Sequence, residues 1–156
     1  MMKYLNYIDS PIGILGLVQE EECLTEVFFG KSESRKDYDQ EETPLLKEAK
    51  KQLKAYFEGN QKIFDLPLNP KGTDFQKAVW QALLLIPYGE TRSYKDIAAA
   101  IGNPKASRAV GMANNKNPLS ILVPCHRVIG SSGKLVGYGG GLAIKEKLLG
   151  LERDNQ

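Results

Sequence analysis

The sequence predicts an α+β protein in two lobes: residues 1–70 as a three-stranded antiparallel sheet with one helix, and residues 71–156 as a mostly helical lobe containing a helix-turn-helix. Three observations carry this. Short apolar runs alternate with turn signals over the first thirty residues, the pattern of a meander. Proline-bearing extended sequence between Gln61 and Gly72 separates that region from the rest. Beyond it, two capping signals and a glycine-punctuated pair of short amphipathic stretches mark helices.

In order, Tyr4 to Ile8, Ile12 to Val18 and Leu24 to Phe29 read as strands, divided by Ser10-Pro11 and by Glu20-Glu21-Glu22. Cys23 opens the third as a small packing residue. Lys31 to Glu42 is charged without apolar periodicity and predicts an exposed connection. Thr43-Pro44 then supplies an N-cap and a first-position proline, and Leu46, Ala49, Leu53 and Phe57 repeat at helical spacing until Gly59. Pro67 and Pro70 make the linker. Thr73-Asp74-Phe75-Gln76 is a capping box for a helix whose Phe75, Val79, Leu83 and Ile86 share a face, with Trp80 off that stripe. Ser93-Tyr94-Lys95-Asp96 is a second box, starting a short helix that Gly102 ends. Asn103-Pro104 then caps another helix through about Ala113.

Helix, tight glycine turn, helix is the helix-turn-helix pattern, here winged-helix-like, although a plain helical hairpin fits equally. Lys105, Ser107 and Arg108 at the opening of the second helix are small or basic groups suited to a groove and to phosphate. The run Ile121-Leu122-Val123 is too short for a helix and stops at Pro124, presenting Cys125 on buried backbone. Ser131 to Lys134 reads as a turn, Gly139-Gly140-Gly141 as a loop, and Leu142 to Leu149 as the last helix. The glycines lack the strand-loop-helix context and spacing of a phosphate cradle.

Composition narrows the function class. Hydrophobic residues make up 42% and charged residues 26%, with no apolar run near the ~20 residues of a membrane span. The opening MMKYLNYIDS has no signal-peptide core, so the expected compartment is the cytoplasm, or the nucleus in a eukaryote. A net charge of +2 hides an asymmetry: residues 1–69 hold 9 Lys+Arg against 13 Asp+Glu, residues 70–156 hold 12 against 6. The basic half is the one with the helix pair, which favours a polyanion as its partner. Two cysteines and one histidine are too few for the usual four-ligand zinc site, and no metal is expected.

The only histidine stands beside one of the two cysteines, in Pro124-Cys125-His126-Arg127-Val128-Ile129-Gly130. A thiol attacks as its thiolate, and at an ordinary pKa of ~8.5 little of it is ionised at neutral pH, so a nucleophilic cysteine needs a base nearby. His126 is the candidate. An arbitrary Cys-His pair is more simply a buried structural thiol beside a solvated imidazole, and context decides between the two.

That context is the motif PCHRVIG, with Tyr94, the segment from Asn103 to Gly111 (NPKASRAVG), Asn117-Pro118 upstream, Tyr138 through Leu142, and Lys145 to Glu152 (KEKLLGLE) downstream. Together they resemble the O6-alkylguanine-DNA alkyltransferases, the methylated-DNA-protein-cysteine methyltransferases, from about Thr73 to Glu152. The resemblance implies repair of double-stranded DNA by irreversible transfer of an alkyl group from O6-alkylguanine, with O4-alkylthymine a second candidate, to Cys125. It implies a monomer, consumed in one turnover, without cofactor or membrane. Glu152 would hold one nitrogen of His126, whose other nitrogen would reach the thiol through a water and lower its pKa by roughly two units. Asn117 would brace the active-site turn. Arg108 would fill the stack vacated by a flipped base, Tyr94 would act on the base or its phosphate, and Tyr138 would line the pocket. Lys145 would contact the loop near Tyr138, and Gly139 stands where some relatives have serine. Two other classes stay open: a DNA-binding module without chemistry, which would lack the acceptor cysteine, and a cysteine hydrolase, which would turn over without DNA.

Overall fold

Strands Lys3–Ser10 (β1), Gly13–Glu20 (β2) and Cys23–Phe29 (β3) form an antiparallel meander in the order β1-β2-β3, as their apolar runs and tight turns predict. Helix Pro44–Phe57 (α1) covers it, and Thr43 caps this helix by accepting from the Leu46 amide at 3.1 Å. Leu46, Ala49 and Leu53 are buried as expected, but Tyr56 rather than Phe57 completes the stripe. Both positions suit a helical face, and the larger buried ring fills the space against Phe64, 5.3 Å away between centroids. Two stretches expected to be plain connections pair with the sheet edges instead: Asp39 bridges Tyr4, and Leu68 bridges Leu24. A short 3₁₀ turn, Glu33–Arg35, interrupts the first of them.

The computed structural model describes residues 2–156. They cluster as two units, one taking the chain through Lys71 with Pro118–Leu122, the other Gly72–Asn117 with Val123–Gln156. A single cut at residue 70 does not foresee the excursion at 118–122, where Val27 donates to the Pro118 carbonyl at 2.8 Å and bridges Leu119.

In the second unit, helices Asp74–Leu84 (α2) and Tyr94–Ala100 (α3) open on the two expected capping boxes, with Thr73 and Ser93 each closing reciprocal bonds to the third helical residue. Val79, Leu83 and Ile86 are buried. So is Trp80, whose indole donates to the Ala113 carbonyl at 2.9 Å, which widens the buried face beyond the predicted stripe. The next helix, Ser107–Asn115 (α4), begins later than Asn103-Pro104 suggested. Residues 103–106 form a turn closed by the Ala106 amide on the Asn103 carbonyl, so Lys105 precedes the helix. The last helix, Leu142–Asp154 (α5), runs past the expected stop at Leu149 and carries Glu152 on its buried face. Among the described residues no helix is long and apolar enough to cross a membrane. Replacing Ser93 with alanine removes one cap of α3 and is expected to cost about 1 kcal/mol, lowering the melting temperature by roughly 2–4 °C. An unchanged melting curve would show that the cap does not stabilise the fold.

Candidate active site

Pro124 cannot donate a backbone hydrogen bond, and the chain beyond it tightens into a 3₁₀ turn, Cys125–Arg127. Both ends are pinned. The Cys125 amide donates to the Val123 carbonyl at 2.8 Å and the Arg127 amide to the Pro124 carbonyl at 3.0 Å. Directly after it, Val128–Ile129 (β5) pairs in parallel with Arg92–Ser93 (β4). The turn therefore sets three consecutive side chains in the interior: Cys125 is 4% exposed, His126 0% and Arg127 6%.

Each is held from a different element. The Asn117 amide donates to the Val123 carbonyl at 2.8 Å and hydrogen-bonds the thiol. Asn114, buried on α4, donates to the Cys125 carbonyl at 3.3 Å. Glu152, fully buried on α5, meets His126 Nε2 at 2.6 Å through Oε2, and Arg127 bonds both of its oxygens at 2.8 and 3.0 Å. Gly89 adds its amide to Oε1 at 3.2 Å, from a left-handed backbone (φ +80) that glycine adopts without strain. Lys145, buried, donates to the carbonyls of Val128, Val136 and Gly137 at 2.5, 2.7 and 3.3 Å. The Tyr94 hydroxyl reaches the same Val136 carbonyl at 3.1 Å. Gly137, also left-handed, lets the loop pass so close that a Cβ there would lie 3.3 Å from the Asn115 side chain and 3.5 Å from the Tyr94 hydroxyl.

These placements fix the charge states. Burial pushes the Cys125 thiol up to about 11, and the Asn117 hydrogen bond and the Lys145 charge only partly oppose it. The expected depression of the thiol is thus reversed: low dielectric disfavours the anion more than its neighbours favour it. Burial likewise holds His126 below its ordinary value despite Glu152, so the imidazole is neutral at pH 7. Glu152 is itself well below the usual carboxylate range, because the bonds from His126 and Arg127 outweigh its desolvation. A carboxylate accepts, so Nε2 carries the imidazole proton, and Nδ1 is a buried acceptor with no hydrogen-bond partner among the described residues. Burial lowers Lys145 to about 8, which leaves it mostly cationic at neutral pH. Burial raises the Tyr138 phenol far above its ordinary value, and the charges of Cys125 and Glu152 act in the same direction.

A neutral thiol, a neutral imidazole with a free acceptor nitrogen, and an ionised carboxylate behind it are the parts of a proton-withdrawal system. One consequence is measurable with iodoacetamide. Alkylation of Cys125 is expected to be slow at pH 7 and to climb about tenfold per pH unit toward pH 11, whatever the steric access. A plateau already at pH 7–8 would show a resting thiolate.

The site gathers Cys125, His126, Glu152, Asn117 and Lys145, with Tyr94 joined through Val136 and Tyr138 half-buried in the same loop region. Ser107, Arg108 and Lys105 lie apart, at and just before the start of α4, where Arg108 and Lys105 are exposed. Gly139 is exposed, with open space around a Cβ built on it, so nothing steric distinguishes glycine from serine there. Sequence reasoning missed Arg127, Asn114 and Gly89. Arg127 was in view beside His126, but its partner is 25 residues away.

Comparison with known proteins bears on this geometry. Residues 74–154 match the family model described as 6-O-methylguanine DNA methyltransferase, DNA binding domain, and residues 3–70 that of its ribonuclease-like domain. The chain is 54% identical over 155 residues to a methylated-DNA–protein-cysteine methyltransferase of Methanosarcina barkeri, covering 97% of this chain and 98% of that one. It is 51% identical to the constitutive methyltransferase of that name from Bacillus subtilis, covering 97% and 96%. The crystal structure of Mycobacterium tuberculosis OGT in complex with DNA superposes with a TM-score of 0.91 at 51% identity, covering 97% and 94%.

Proposed function

The chain belongs to the methylated-DNA–protein-cysteine methyltransferase family, and from that membership we propose that it repairs double-stranded DNA by moving the alkyl group of O6-alkylguanine, or of O4-alkylthymine, onto its own Cys125. The observation that carries the reading is a buried thiol next to a neutral histidine backed by an ionised glutamate, within the unit that matches the DNA-binding domain. It acts as a monomer, in the cytoplasm or, in a eukaryote, the nucleus.

The thiol proton passes through a bridging water to His126 Nδ1 as sulfur attacks the alkyl carbon. The carbon–sulfur bond forms, the carbon–oxygen bond breaks, and the electron pair leaves with the base, which takes up a proton from water while the imidazolium returns the thiol proton to solvent. Water does not readily cleave the resulting thioether, so the protein is consumed. The chemistry calls for no cofactor. Burial disfavours the Cys125 thiolate at pH 7, so proton transfer to His126 precedes or accompanies attack. Glu152 stabilises the imidazolium that forms, and Asn117 and Lys145 steady the turn and the loop around the sulfur.

A buried sulfur cannot reach a base within a duplex, so the nucleotide is flipped out at a cost of a few kcal/mol. Arg108, exposed in the first turn of α4, fills the vacated stack, while Ser107 and Lys105 contact the backbone. Tyr94 and Tyr138 line the pocket, and Gly139 offers its amide to the base oxygen. Mixing the protein with duplex carrying one labelled O6-methylguanine tests the reading: label must move to protein one-for-one. Binding without transfer would indicate a damage sensor, and continued release of product a hydrolase.

A further inference from the structure

We propose that Arg127 is a positioning residue for this chemistry: it grips both carboxylate oxygens of Glu152, anchors to the Ile86 carbonyl, and opposes the pull of that carboxylate on the His126 proton acceptor. The inference rests on His126 accepting the thiol proton, as argued above.

The geometry is a fork. Nε and Nη2 of Arg127 meet Glu152 Oε1 and Oε2 at 2.8 and 3.0 Å, and Nη1 donates to the Ile86 carbonyl at 2.8 Å. The guanidinium lies 5.7 Å from the centroid of the Tyr88 ring. A planar five-donor cation suits such a two-sided grip, and a lysine ammonium does not. The carboxylate oxygen nearest His126, Oε2, is therefore shared between an imidazole and a permanent cation.

Sharing has a chemical consequence. A lone buried carboxylate against an imidazole favours an imidazolium, and an imidazolium cannot accept the thiol proton. A fixed positive charge on the same carboxylate works the other way. The groups facing His126 and its partner are Glu152 and Lys145 on α5, Cys125 and Arg127 on its own turn, Tyr88 after α2 and Tyr138 in the loop before α5. Lys145 also carries positive charge, but its bonds go to backbone carbonyls. Arg127, by contrast, acts on Glu152 directly.

Because His126 is the only histidine in the chain, its ring signals in the full-length protein can be followed by NMR without assignment. Arg127→Met is expected to raise the imidazole titration midpoint by about one unit or more, and to move the acid limb of the transfer rate from O6-methylguanine duplex upward in parallel. Glu152→Gln should move the midpoint down. Arg127→Lys keeps the charge without the fork, so a smaller upward shift and partial recovery of the rate are expected. If Arg127→Met does not fold, because it leaves a buried carboxylate short of its partner, the lysine variant carries the test alone. A midpoint unchanged or lowered in a folded Arg127 variant would overturn the proposal and leave Arg127 a structural clamp. Failure of the wild-type protein to take up methyl would instead strike the family chemistry, which the histidine titration does not depend on.

Discussion

Incubated with duplex DNA carrying a single O6-methylguanine, the protein is expected to gain one methyl group per molecule on Cys125 and none on Cys23, and then to stop. Peptide mass spectrometry reads both sites at once. The two thiols differ in surroundings: Cys23 opens β3 in the sheet, half-exposed, while Cys125 is buried and precedes His126 in the same 3₁₀ turn. Cys125→Ala should abolish transfer while leaving binding to the damaged duplex intact, since the DNA contacts proposed above belong to the opening of α4 and not to the thiol. Cys125→Ser should behave almost the same, because a hydroxyl is far harder to deprotonate than a thiol and a weaker nucleophile toward carbon. Repeated turnover, or methyl found on Cys23, would defeat the mechanism.

How much of this is legible before folding depends on how local each feature is. Thr73 and Ser93 can be read as caps because both partners of each box lie within three residues. Asn103-Pro104 shows the limit of that reading, since the same dipeptide that can cap a helix here opens a turn and α4 waits for Ser107. The last helix is expected to stop at Leu149, yet α5 continues to Asp154, with Glu152 in its last turns bonded to His126, Arg127 and Gly89 from three directions. The Cys125-His126 pair was visible, and so, by resemblance, was Glu152. What the chain does not display is depth: the direction of the thiol's shift follows from how completely it is buried, and the reach of Arg127 from contacts 25 and 41 residues away.

The last expectation separates handling of DNA from chemistry at sulfur, because residues with different tasks fail differently. Arg108 is exposed in the first turn of α4, and its proposed task is at the DNA stack and not at the sulfur. Arg108→Ala should therefore slow repair of duplex by roughly 10–100-fold, the cost of a few kcal/mol at flipping, while changing the reaction with free O6-alkylguanine base little. Glu152→Gln should slow both substrates alike, on the order of 10²-fold, since it weakens His126 as a base whatever carries the alkyl group. The amide also leaves Arg127 buried without its counter-charge, so the melting temperature should fall and rates belong well below it. The histidine titration controls for that loss: it should move down in Glu152→Gln and stay in place in Arg108→Ala. Equal slowing of duplex and free base by Arg108→Ala would remove it from the flipping step. An unmoved His126 titration in Glu152→Gln would uncouple the carboxylate from the imidazole it touches at 2.6 Å.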